Sequence, residues 1–184
     1  METKNIKKVS KVFLFRLFRH VILSIFVQMA TIEIFTDGSA KGNPGPGGYG
    51  IVMRFGPKEK EISQGYRLTT NNRMELMAVI VALECLKTDK HEINVYSDSK
   101  YVIDSITKGW VFGWEKKNFK GKKNIDLWKR YLLVHPKFKI NYNWVKGHNG
   151  HPENERCDVL AVQGAESKSQ LVDTYFEDVQ SKEA

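Results

Sequence analysis

The sequence predicts an α/β fold built on a mixed five-stranded sheet with helices on both faces. Two observations carry this. Three strand-like segments follow one another between residues 31 and 68, joined by turn-rich links, which is the pattern of an antiparallel meander. Beyond them, short strand-like runs alternate with segments of helical period as far as residue 163, the pattern of strands joined by helical crossovers.

Residues 31–36 read as the first strand, with Ile32 and Ile34 alternating against Glu33. Residues 42–50 are turn-rich, and 49–55 and 61–68 read as the second and third strands, linked across Gly56-Pro57. Residues 72–86 carry Leu76, Val79, Ile80 and Leu83 at helical spacing. A strand over 92–97 leads into a helix over 99–107. An aromatic and lysine-rich segment, 108–123, follows. A helix over 125–133, a strand over 139–145 and a helix over 153–163 complete the order. From Ala165 the chain is acidic and polar, with Glu166, Asp173, Glu177, Asp178 and Glu183, and is expected to be weakly ordered. No internal repeat is present.

The chain has 184 residues, enough for one domain with its own core, and its 41% apolar and 27% charged residues are those of an ordinary globular protein. Its net charge of +8 is uneven. Six cations against Glu2 give residues 1–28 a charge of +5, so the remainder holds only +3 and local clusters must carry any nucleic-acid reading. That first segment is also apolar around Phe13, Phe15, Phe18, Ile22 and Phe26, with no run long enough to span a membrane. Three readings stand: a secretory leader, an amphipathic helix at a membrane surface, or a dispensable leader before a start at Met29. The last is favoured, which sets the domain at residues 29–164 and the tail at 165–184. The two cysteines, Cys85 and Cys157, make neither a disulfide framework nor a zinc pair, so a reduced, cytoplasmic protein is the simplest expectation.

Acidic residues fall at the ends of these elements. Asp37 ends the first strand, Glu75 lies in the first turn of the helix after the meander, Asp98 ends the fourth strand, and Asp158 lies in the last helix. Each has a local explanation. Asn72 and Glu75 have capping-box spacing, Asp98 suits a helix N-cap, Asp37 before Gly38 suits a turn, and Asp158 suits a solvated helix face. Convergence is the alternative. If the first and fourth strands are neighbours, four carboxylates gather with no lysine or arginine among them. Such a group needs cations, and its oxygen-only ligands favour Mg²⁺ or Mn²⁺ over zinc.

The segments Thr36-Asp37-Gly38-Ser39 with residues 42–50, Thr69 to Leu76, Tyr96-Ser97-Asp98-Ser99, and Trp144 to His148 continuing through His151 to Asp158 resemble the motifs of bacterial type I ribonuclease H. The resemblance runs from about residue 30 to 164 with order and spacing kept, and four long motifs together are highly specific. Ala40 stands where some relatives carry Cys. The resemblance implies the RNase H-like fold and an endoribonuclease that cuts the RNA strand of RNA–DNA hybrids without sequence preference. It implies that Asp37, Glu75, Asp98 and Asp158 bind two Mg²⁺ ions about 3.5–4 Å apart across the scissile phosphate, leaving 5′-phosphate and 3′-hydroxyl ends. It implies that His148, in a glycine-flanked loop, assists proton transfer or product release.

Hybrid recognition demands a reader of the 2′-hydroxyl, which both donates and accepts hydrogen bonds and is suited to neutral amides. Asn43, Thr70, Asn71, Asn72 and Asn154 lie inside the matched motifs and resemble the family's substrate contacts. Helix capping is the alternative for Asn71 and Asn72. Residues 109–123 interleave Trp110, Phe112, Trp114 and Phe119 with Lys116, Lys117, Lys120, Lys122 and Lys123. The resemblance places this segment at the family's DNA-binding handle, with the tryptophans partly buried and the lysines facing phosphates. Two rivals are weighed. One is the same fold acting as a transposase, integrase or junction resolvase, against which the Asn71-to-Glu75 and Gly147-to-Glu155 motifs argue. The other is a non-catalytic hybrid-binding module, against which the full set of four carboxylates argues. A monomer with the hybrid as its partner is expected, and membrane contact by residues 1–28 is not favoured.

Overall fold

The computed structural model describes residues 31–147 and 149–179. The expectations for residues 1–28 and for His148 therefore lie outside the described residues. Five strands form one sheet in the order β3-β2-β1-β4-β5: β1 (Ile32–Ala40), β2 (Gly45–Phe55), β3 (Lys58–Thr69), β4 (Ile93–Ser97) and β5 (Ile140–Trp144). The first three pair antiparallel, whereas β4 lies parallel to both β1 and β5. This is the mixed sheet read from the sequence.

Helix α1 (Asn71–Glu84) enters the middle of one sheet face. Leu76, Val79, Ile80 and Leu83, whose spacing predicts it, are all completely buried, and so are Met74, Ala78 and Ala82 around them. Helices α2 (Lys100–Thr107) and α4 (Ile125–Val134) are placed beside it and share its core through Val102, Ile106, Leu127 and Trp128. The opposite face is covered by α5 (Pro152–Glu166), over a smaller cluster of Phe35, Val52, Cys157 and Leu160. The approach of α5 is close. A Cβ on Gly50 would lie 2.0 Å from the carbonyl oxygen of Cys157, so only glycine lets α5 settle there. Both cysteines are free thiols.

Two readings need correction. The second strand begins at Gly45, so most of the glycines read as turn residues lie inside the strand, where Gly48 and Gly50 accommodate the helix above. The tail is also ordered through residue 179. Leu171 bridges Tyr66 beside the edge strand β3, and the chain reaches the short helix α6 (Thr174–Asp178) with Asp173 and Phe176 buried. Acidic composition alone suggests solvation, but Asp173 has a long-range partner in Arg73. The aromatic segment contains a short helix, α3 (Trp110–Lys116), which the sequence pattern does not resolve.

Candidate active site

The parallel pairing of β1 with β4 ends at Thr36 opposite Ser97. The next residue on each chain is an aspartate, Asp37 and Asp98, so the two carboxylates leave adjacent strands at the same end of the sheet. Asp37 Oδ1 accepts a 2.7 Å hydrogen bond from the Gly38 amide. Gly38 also passes beneath the start of α1, where an added Cβ would lie 2.3 Å from the Glu75 amide nitrogen. That close approach brings Glu75 over the strand end. Ligand atoms of Asp37, Glu75 and Asp98 lie within 4.8 Å of one another, with Asp37 and Glu75 buried.

The local explanations for these acids fall away. The N-cap of α1 is Thr70, which makes no side-chain cap, and Glu75 bonds to the Asn71 side-chain amide at 3.3 Å instead of closing a capping box. Ser99, not Asp98, caps α2. Asp37 lies within β1, not in a turn. Burial, then the neighbouring Asp98, push the Asp37 carboxyl up to about 8, and Asp158 adds to this. Glu75 is pushed well above the ordinary carboxylate range by burial, then by Asp37 and Asp98. Its Oε2 is buried with no hydrogen-bond partner. Carboxylates so arranged keep their charge at neutral pH only if a cation joins them, and their oxygen donors suit a hard divalent ion. Asp158, half-buried on α5, is outside the 4.8 Å group, though near enough to raise Asp37.

Of the amides expected to read the substrate, Asn71 and Asn154 touch this cluster. Asn43 accepts from the Asn71 backbone amide at 3.3 Å, which ties the loop before β2 to the start of α1. Asn72 is exposed and Thr70 and Asn71 are half-buried. Asn154 is buried on α5 and donates to Asp98 Oδ2 at 3.3 Å, leaving its own Oδ1 without a partner. Trp144 opens one of the matched motifs but is not read there as touching the site. Its indole N–H donates to the Asp98 carbonyl at 2.9 Å, a bond across two strand ends that no local pattern reveals.

A cleft of about 460 Å³ runs from Asn43, Thr70 and Asn72 to Trp110, Trp114, Lys122 and Lys123. Tyr101, Ser105 and Phe176 also line it, with Pro44 and Asn124, and nothing in their local sequence marks the first three. Trp110 is 46% exposed, whereas Trp114 is half-buried with its ring edge-on to Trp128 at 5.7 Å. Lys108 lies 5.0 Å over the Trp110 ring and Lys122 lies 5.1 Å over Trp114. Lys116, Lys117, Lys120 and Lys123 are exposed on the same segment, and Phe119 anchors it in the core. Cations, aromatic faces and polar amides thus line one cleft, and Asn71, between Thr70 and Asn72 of its wall, reaches the Glu75 carboxylate.

Comparison with known proteins points to one family. The sequence model of the family described as RNase H matches residues 29–166. Ribonuclease H of Yersinia pestis strain Pestoides F is 55% identical over 150 residues, covering 79% of this chain and 96% of the relative. Ribonuclease H of Yersinia pseudotuberculosis strain IP32953 matches equally. Among solved structures, LC9-RNase H1, described as a type 1 RNase H with the type 2 active-site motif, superposes with a TM-score of 0.68 at 27% identity and covers 84% of each chain. LC11-RNase H1 in complex with an RNA/DNA hybrid superposes at 0.58 with 26% identity, covering 73% of this chain and 96% of that one.

Proposed function

This chain belongs to the RNase H family, in its bacterial type I branch, and from that premise we propose a two-metal endoribonuclease that cleaves the RNA strand of RNA–DNA hybrids without sequence preference. The products are a 5′-phosphate and a 3′-hydroxyl. The observation that carries the reading is the group formed by buried Asp37 and Glu75 with half-buried Asp98 at the sheet end, near a cleft lined by amides and lysines. On this reading the motifs of the catalytic domain lie within residues 29–164, the protein works as a monomer in the cytoplasm, and residues 1–28 are dispensable. Among the described residues no helix is long and apolar enough to cross a membrane.

Asp37, Glu75 and Asp98, joined by Asp158, are the residues that would hold the ions, two Mg²⁺, a role that Mn²⁺ can also fill. Bound there, the two ions supply activation of a water and stabilisation of the departing 3′ oxygen. The chain's own groups do the rest. Asn43, Thr70, Asn71, Asn72 and Asn154 offer neutral donors and acceptors to the RNA backbone and its 2′-hydroxyls. Asn154 also holds Asp98 in place through its side-chain amide. Trp110 and Trp114 give apolar faces to the DNA strand, while Lys116, Lys117 and Lys120 meet its phosphates. His148 moves a proton or helps release product.

Substrate choice tests the reading. The full chain, given Mg²⁺ and labelled RNA–DNA hybrid, duplex DNA or duplex RNA, is expected to cut the RNA of the hybrid alone. Cleavage of duplex DNA would assign it to a transposase-like or resolvase-like activity instead. Hybrid binding without cleavage would assign it to a non-catalytic module.

A further inference from the structure

Arg73 is completely buried one residue after Asn72 and two before Glu75. Its guanidinium donates to both oxygens of Asp173, Nε at 2.6 Å and Nη2 at 2.7 Å, and to both oxygens of Asp126 on α4, at 2.8 and 2.7 Å. Asp173 is itself buried and also accepts from the Thr69 hydroxyl at 2.7 Å. One carboxylate from the C-terminal segment therefore grips the residues on either side of Thr70, Asn71 and Asn72.

The placement matters because the start of α1 has few other anchors: Asn43 accepts from the Asn71 amide, and Asp126 holds the other side of the Arg73 guanidinium. A helix begins with backbone N–H groups that lack intrahelical partners, and a side-chain cap ordinarily fixes that first turn. Thr70 supplies none. A buried ion pair is also a poor way to gain stability, since apolar side chains of similar volume serve as well, and its best-attested use is to fix one arrangement against others. The C-terminal segment is secured for the task. Leu171 donates to the Gly65 carbonyl at 2.8 Å and accepts from the Arg67 amide at 3.0 Å. Glu177 accepts from Arg67 at 2.6 Å, and Phe176 is buried against the cleft.

We infer that Asp173 is a positioning residue for hybrid binding, holding Thr70, Asn71 and Asn72 in register with the substrate through Thr69 and Arg73, so that residues 167–178 form a working part of the nuclease. The inference rests on the proposed role of those three residues in touching substrate. Electrostatics alone would act in the other direction. Removing an acidic charge makes the protein more positive and tightens its hold on a polyanion.

The test is equilibrium binding of a fluorescently labelled RNA–DNA hybrid to the full chain, in EDTA so that no cleavage intervenes, at a temperature where every variant is folded. Asp173→Asn is expected to weaken hybrid binding about tenfold, the lower end of what loss of a supporting partner costs a ligand site. Its salt dependence should match that of the wild type, because the cations that meet phosphates are untouched. Thr69→Val keeps the ion pair and should show a smaller loss in the same direction, which keeps the test decisive if Asp173→Asn does not fold. Val134→Ala, a core change at the far end of α4, should lower the melting temperature and leave hybrid affinity at the wild-type value. Unchanged or tighter binding by folded Asp173→Asn, or an equal loss in Val134→Ala, would overturn the inference. A wild type that does not distinguish hybrid from duplex RNA would overturn the substrate assignment itself, a separate result.

Discussion

Asp37 and Asp98 stand side by side at one end of the sheet, each the first residue after the last parallel pair of β1 and β4, Thr36 with Ser97. The consequence is electrostatic. Strand pairing forces two acidic side chains together, and Glu75 joins them over Gly38. The fold therefore holds like charges in a partly dry site, and metal-free protein bears the cost.

Replacing Asp98 with Asn should reduce hybrid cleavage to about a thousandth or less, since losing a metal ligand removes several kcal/mol of transition-state stabilisation and each 1.36 kcal/mol is tenfold. The fold should persist, and in EDTA the melting temperature should rise because one repulsive charge is gone. Near wild-type turnover by the purified variant would contradict the metal assignment.

The raised carboxyl of Asp37 predicts a pH dependence of stability. Its pKa moves from 3.8 to about 8 on folding, so between these values the folded protein binds the proton and the unfolded chain does not. The stabilisation is complete below the lower value and disappears as pH rises through the upper one. Melting temperature in EDTA should therefore fall as pH rises from about 4 to about 8. Saturating Mg²⁺ should flatten the upper part of that fall, and Asp37→Asn should reduce it. A flat profile in EDTA for the wild type would mean that the site is not strained by its own charge.

The lysines beyond α3 should set affinity rather than chemistry. Changing Lys120, Lys122 and Lys123 to Ala should weaken hybrid binding and lower the log–log salt slope by about 0.7–0.9 for each phosphate no longer neutralised. The rate at saturating substrate should barely change. An unaltered slope would show these lysines to be a solvated face.

His148→Ala should slow turnover much more mildly than Asp98→Asn does, because water can stand in for a general acid–base group, whose full contribution is roughly 10²–10⁴-fold at most. Side-by-side kinetics with Asp98→Asn would reveal whether its loss is as severe, which an auxiliary role forbids.

Most of the fold is legible in the sequence because its signals are local. The period of Leu76, Val79, Ile80 and Leu83 is a property of one helix, and all four are buried as expected. The site is legible for a related reason: Asp37 and Asp98 end strands, and strand ends can be read one segment at a time. What escapes depends on partners distant in sequence. Gly48 and Gly50 of β2 look like turn residues until α5 is placed above them. Trp144 reaches the Asp98 carbonyl only after β5 aligns with β4. Asp173 reads as one more acid in a polar tail until Arg73, a hundred residues earlier, is found beneath it.

The most direct test of the central claim is the identity of the products from a hybrid labelled on its RNA strand, incubated with the full chain in Mg²⁺ and in EDTA and resolved by mass spectrometry. The account predicts RNA fragments with 5′-phosphate and 3′-hydroxyl ends in Mg²⁺, an intact DNA strand, and no cleavage in EDTA. Cleavage that persists in EDTA, or fragments ending in 2′,3′-cyclic phosphate, would contradict it.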